Sequence, residues 1–394
     1  MTLGSKSNRP RLSVVVGCRN DNHGGEMLTR FQHFIDCLFD QSRSLGSIEF
    51  VFVEWNPPED RSRLREVLDW SQQHANAAVR FIEVPQNLHS QLPFSDKMPL
   101  FQYLAKNVGI RRATGDFVLS TNMDILLSDQ LYRTIMTGDL QPKTVYRADR
   151  VDVKSNVPAT PSSSAKLDYC AQNTLRAFRP WGLVEGEATL SEKAPEGFRE
   201  NRLNGDSNFS WQGLQRSLRA FTQASLNASR ELRLSSRDLL AKPTAKTLRE
   251  SKYRILSFHP WSQAMFQFRK YPQLHTGASG DFILMARESW AELQGHPELP
   301  IHPMYLDGLT LYEALGRGFN FVNFPPDQPA YHIEHAGGWT PAEKDCYFER
   351  LVKNRIPYMP KSEYARLAAR CYKNKEQRFP EADWGFGNET LPEA

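Results

Sequence analysis

The fold is decided by one stretch: Ala105-Lys106-Asn107-Val108-Gly109-Ile110-Arg111-Arg112-Ala113-Thr114-Gly115-Asp116-Phe117-Val118-Leu119-Ser120-Thr121-Asn122-Met123-Asp124. Pro99 to Ala113 reads as a helix ended by Gly115, and Asp116 to Thr121 as a short apolar strand. The strand runs into a polar Asn-x-Asp turn. Such a turn can hold a divalent cation through oxygen ligands, and the cation can bridge a diphosphate. The same acid, Asp124, can equally cap the element that follows.

Upstream, the pattern of strand and helix repeats. Leu12 to Gly17, Ile48 to Glu54 and Val79 to Val84 are apolar, β-rich runs that stop at glycine or proline. Leu28 to Phe39 and Arg61 to His74 read as the helices between them. Buried strands alternating with helices predict a mixed α/β fold with a mostly parallel sheet flanked by helices. In such sheets ligands bind at the carboxyl ends of the strands. Gly17-Cys18-Arg19-Asn20, Glu54-Trp55-Asn56 and Asn122-Met123-Asp124 should therefore meet on one rim.

Downstream the pattern breaks and then returns. Ser155 to Lys166, with two prolines and four serines, reads as a loop or linker. Residues 211–254 carry ten Lys/Arg against three Asp/Glu, and an amphipathic basic helix at 211–221 would allow contact with a membrane surface or an anionic acceptor. A solvated basic face is the plain alternative. Strands are expected at 281–286 and 319–324 around a helix at 305–315, and helices at about 341–354 and 361–372.

The 394 residues carry a net charge of only +4, and no nucleic-acid motif accompanies it, so a nucleic-acid partner is not expected. No run reaches the roughly 18 apolar residues of a membrane span. The five scattered cysteines read as free thiols, and the polar N-terminus shows no secretory pattern, which together predict a cytoplasmic protein.

The order and spacing of these pieces resemble glycosyltransferase family two and its relatives with the GT-A fold. There a helix and strand of the type A-R-N-x-G-I-x-x-A-x-G-D lead into an Asp-x-Asp motif. Thr276 to Trp290 looks like the family's glycine-containing loop and strand, and Gln294-Gly295-His296-Pro297-Glu298 sits where relatives have G-G-F-D-E. Tyr305-Leu306-Asp307 falls at the x-Glu-Asp motif, and Tyr331-His332-Ile333-Glu334-His335 near a C-terminal metal-ligating histidine. The match covers roughly 11–125 and 272–340. It implies a nucleotide-sugar-binding half at 1–150, an insertion at 151–270, an acceptor half at 271–340 and a helical extension at 341–394.

The resemblance implies transfer of a sugar from a nucleotide-sugar donor to a glycan or glycolipid hydroxyl, with inversion. Asp307 would be the base. Asp124, His332 and His335 would hold Mn or Mg. Gly17, Cys18, Arg19, Glu54, Lys106, Asn122, Met123, Gly277, Gly280 and Asp281 would line the donor site. Two positions depart from the pattern. Asn122 replaces the first Asp of Asp-x-Asp, which weakens the expected metal affinity, and Leu306 replaces a Glu. A weak or inactive nucleotide- or glycan-binding relative, or a sugar nucleotidyltransferase, stands as the alternative. His23-Gly24-Gly25 reads as a loop beside the rim, and His275 as a further candidate contact.

Overall fold

The structure is a computed structural model that describes residues 9–186, 190, 194, 274–336, 344–374 and 382–394. Its strands are β1 Leu12–Cys18, β2 Ile48–Trp55, β3 Ala77–Val84, β4 Phe117–Thr121, β5 Ile125–Leu127, β6 Thr144–Arg147, β7 Arg150–Val153, β8 Thr174–Arg179, β9 Gly182–Glu185, β10 Phe282–Ala286, β11 Asn320–Asn323 and β12 Ala330–Ile333. Its helices are α1 Met27–Ser42, α2 Leu64–Val67, α3 Gln86–His89, α4 Gln102–Arg112, α5 Asp129–Thr137, α6 Ser163–Gln172, α7 Arg287–Leu293, α8 Leu306–Gly316, α9 Lys344–Lys353 and α10 Lys361–Asn374.

Among the described residues, seven strands form the main sheet in the order β11-β6-β10-β4-β1-β2-β3. β1 pairs in parallel with β2 and β4, and β2 with β3. β10 alone runs against its neighbours β4 and β6. The expected mixed, mostly parallel α/β sheet is therefore present. Alternation along each strand splits the core into two layers. Val14, Val16, Phe50 and Phe52 share one cluster with Phe31, Phe34 and Ile35 of α1. Val15, Val51 and Val53 share the other with Leu104, Ala105 and Val108 of α4. α4 lies close to the sheet because Gly109 faces it: a Cβ there would sit 2.5 Å from Val15 Cγ1 and 3.1 Å from Val53 Cγ2.

A second sheet of five strands, β5-β12-β7-β8-β9, grows from the end of β4. β12 pairs antiparallel with β5 and parallel with β7, setting His332 opposite both Ile125 and Asp152. The opposite edge of the main sheet is closed by residues 382–394. Phe81 and Ala394 exchange backbone bonds of 2.8 and 2.9 Å, and the Glu83 amide donates to the Pro392 carbonyl at 2.9 Å. Arg111 Nη1 and Arg112 Nη1 hold this strap through the carbonyls of Trp384 and Gly385, each at 2.7 Å.

Some expected elements differ. The helix at 61–74 is a single turn, Leu64–Val67. Leu68 is extended, and the Asp69 carboxylate accepts from both the Ser71 amide at 2.8 Å and its hydroxyl at 3.0 Å, a local turn that ends the helix. The segment read as linker to Lys166 turns into α6 at Ser163, where the Ser162 hydroxyl accepts from the Ala165 amide. Within the extension α9 and α10 are helical, and the strap at 382–394 is not. The basic segment 211–254 lies outside the described residues. No helix among the described residues is long and apolar enough to cross a membrane.

Candidate functional site

The register of the second sheet builds a cluster at the carboxyl end of β4. Asp124 leaves β4 three residues after Thr121, and its carbonyl accepts from the Ile333 amide at 3.1 Å. This bond draws β12 alongside, so ligand atoms of Asp124, His332 and His335 all lie within 4.8 Å of one another. His335 Nε2 is 3.2 Å and His332 Nε2 3.9 Å from Asp124 Oδ2. His332 Nδ1 bonds Asp152 Oδ1 at 3.0 Å, which fixes the ring and turns Nε2 toward Asp124. Burial alone would raise the Asp124 carboxyl, yet the bond from His335 and the charges of His332, His335 and Arg30 hold it well below the usual range. Burial disfavours charge on His335, but Asp124 outweighs that and pulls the imidazole up.

The donor set decides which ion suits the cluster. One carboxylate and two imidazoles fit Mn²⁺ or another first-row ion better than Mg²⁺, which prefers oxygen ligands and retained waters. Asp152 behind His332 is the carboxylate partner that ligating histidines ordinarily have.

Asn122 points elsewhere. Its amide oxygen accepts from Gln102 Nε2 at 2.8 Å, and its Nδ2 donates to Asp281 Oδ1. Asp281 also receives Arg150 Nη1 at 2.7 Å. Met123, beside it, is half-buried against the core on the α1 side. Because β10 is antiparallel to β4, its first residue Phe282 sits opposite Thr121, and the loop 276–281 arrives at the same rim.

That loop holds Asp307, in the first turn of α8, by hydrogen bonds. The Asp307 Oδ2 atom accepts from Ser279 Oγ at 2.5 Å and from the Gly280 amide at 2.7 Å. Burial pushes its carboxyl up, against the opposing Ser279 and backbone bonds and Arg147. Gly280 is required here, since a Cβ would collide with the Tyr103 hydroxyl. Lys106 is fully buried beneath the loop and donates to the Gly280 carbonyl at 2.7 Å. Burial lowers its ammonium to about 8, with Asp281, Asp307 and Asp124 resisting. Arg147 Nη2 reaches the Gly277 carbonyl at 3.1 Å and Nη1 the His275 carbonyl at 2.8 Å. His275 Nε2 lies 3.6 Å from Asp149 Oδ1.

On the β1 and β2 side the placements are more structural. Gly17 makes room for α4, where a Cβ would come within 2.8 Å of Ala105 Cβ. Cys18 is buried, its thiol 3.4 Å from the Val53 carbonyl. Arg19 Nε donates to the Asn56 carbonyl at 2.8 Å. Both Glu54 oxygens accept from the Leu64 amide at 3.1 Å, so this acid caps α2. Burial drives Glu54 up to about 7, despite that bond.

Sequence reasoning missed Asp152 and Arg30. Arg30 is buried in α1, with Nε 3.8 Å from Asp124 Oδ2 and Nη2 on the His23 carbonyl at 2.7 Å. It thus ties the Asp124 cluster to the loop His23-Gly24-Gly25. Gly24, at φ 73°, has no space for a Cβ against His335. A signal was present: an arginine on the apolar face of a helix, one residue before Phe31.

No family model matches the chain, and no curated protein does. Among solved structures it is similar to a crystal structure of GalNAc-T7 with UDP, GalNAc and Mn²⁺, at 11% identity and a TM-score of 0.37. The alignment covers 85% of this chain and 45% of the other, so this chain spans less than half its length. A superposition that loose assigns no activity.

Proposed function

We propose that the protein is a divalent-metal-dependent glycosyltransferase of the GT-A kind, moving a sugar from a nucleotide diphosphate to an acceptor hydroxyl with inversion. The observation that supports it is the Asp124–His332–His335 cluster on the rim of the central parallel strands, joined to Asp307 through the Asn122–Asp281 and Gly280–Asp307 bonds. A cation held by Asp124, His332 and His335 would neutralise charge on a diphosphate leaving group. Asp307 receives the acceptor's proton. Two donors on Oδ2 fix its orientation, and its raised pKa makes it a stronger base. Lys106 and Arg147 keep the 276–281 loop in place from below.

The test is thermal unfolding with UDP, GDP and CDP, each with and without Mn²⁺. One nucleotide should stabilise the protein only with metal. Asp307→Asn should keep that stabilisation while turnover falls about 10²–10⁴-fold. Unchanged turnover would remove Asp307 from the mechanism. Asn122, with its amide engaged on both sides, favours one second reading: a sugar-nucleotide binder without turnover. Metal-dependent stabilisation with no hydrolysis or transfer in the wild type would select it.

A further inference from the structure

Tyr305 stands two residues before Asp307 in the left-handed region, at φ 74° and ψ −7°. For a bulky aromatic residue this is a true outlier, and such strain concentrates at ligand-binding positions. Its ring lies face to face on Tyr364 of α10, with centroids 4.8 Å apart and planes 13° from parallel. Tyr364 in turn leans edge-on to Tyr312 at 6.2 Å. Gly308 completes the fit, because a Cβ there would collide with the Tyr364 hydroxyl. Strained backbone, glycine and stacked rings are thus matched to one another at the start of α8.

Leu306, Leu309, Leu367, Ala368 and Cys371 already bury the contact between α8 and α10. Tyr305 and Tyr364 are only partly buried at its rim. The Tyr305 phenol is also near the Asp307 carboxylate, whose charge adds to burial in raising it. An aromatic face beside a candidate base offers apolar surface for the C–H face of a sugar and oxygens for its hydroxyls. The ring of Tyr305 suits the C–H face of a neutral sugar, and the Asp307 carboxylate beside it disfavours an anionic one.

We propose that the outer face of Tyr305, backed by Tyr364, is the acceptor platform: a neutral pyranose stacks there and presents a hydroxyl to Asp307. This rests on the reading of Asp307 as the base. Tyr305 acts by binding, and Tyr364 by positioning its ring.

The experiment is saturation-transfer NMR on the full chain with Mn²⁺ and each of UDP, GDP and CDP. The probes are the methyl pyranosides of glucose, galactose, mannose and N-acetylglucosamine. Tyr305→Gly keeps the backbone course, since glycine adopts positive φ freely, and removes the ring. At least one pyranoside should bind the wild type, and Tyr305→Gly should weaken it about tenfold. Tyr305→Phe should restore binding to within about threefold, and Tyr364→Leu should weaken it without altering residue 305. The metal-dependent nucleotide stabilisation should be the same in all of them. No pyranoside bound by the wild type, or equal binding by Tyr305→Gly and Tyr364→Leu, overturns the platform. Absence of nucleotide stabilisation in the wild type instead overturns the transferase reading itself.

Discussion

Asp152→Asn tests whether the histidine cluster is a metal site or a set of buried ion pairs. Asp152 is 2% exposed and accepts His332 Nδ1 at 3.0 Å and Arg150 Nε at 2.5 Å, with Arg176 Nε at 3.4 Å. Asparagine retains one acceptor but loses the charge. If His332 is a ligand, removing the carboxylate behind it should weaken metal affinity about 10–100-fold, or about 1.4–2.7 kcal/mol. Stability also falls, by about 1–3 kcal/mol, because a charge-assisted network is broken. The loss is limited because Arg150 keeps Asp281 and Arg176 keeps Glu334. Glu334→Gln is the control: it removes a partner of Arg176 without touching His332. Calorimetric titration with Mn²⁺ gives the affinity, and urea unfolding the stability. A folded Asp152→Asn protein binding Mn²⁺ within threefold of wild type would refute the reasoning, as would an equal loss in Glu334→Gln.

Three further outcomes follow from buried groups. Glu54, raised to about 7 in the fold, keeps its proton longer than in the unfolded chain, so its contribution is full below about pH 4.5 and lost as pH rises through 7. Glu54→Gln should therefore gain stability on wild type at pH 8, up to roughly 3 kcal/mol, and none at pH 4, in urea titrations at both. Gly109→Ala should lower stability by about 1–3 kcal/mol, read as a drop in melting temperature, because its Cβ meets Val15 and Val53. Lys106→Met removes the donor to the Gly280 carbonyl and should cost about 1–3 kcal/mol in denaturant unfolding; an unchanged midpoint would show the bond to be idle.

The main sheet was legible where strands are buried on both faces. Val14–Val16 and Phe50–Val53 are continuous apolar runs rich in β-branched and aromatic residues, the pattern of strands covered on both faces. Asp124 was legible for the same reason: it closes such a strand. His332 and His335 were placed beside it by resemblance, and their meeting with Asp124 depends on β5, β7 and β12. Those strands are three or four residues long, too short for a period to register. Asp152 lay hidden in Arg-Val-Asp-Val, a polar residue whose direction only the pairing with β12 defines. The helix at 61–74 was over-read because one carboxylate, Asp69, captured the backbone that apolar spacing assigned to the helix. Glu54 was read for its position at a strand end, where its hydrogen bonds show a cap.

The strap at 382–394 sets a condition on synthesis. Arg80 and Glu393 pair across 313 residues of sequence. At roughly 5–20 residues per second, β3 leaves the ribosome some tens of seconds to a minute before its covering partner exists. Through that interval the backbone groups of Phe81 and Glu83 are open to any extended chain nearby. A nascent polypeptide of this kind is a natural client for chaperones, and yield in cells should respond to translation speed more than the stability of the finished fold would suggest.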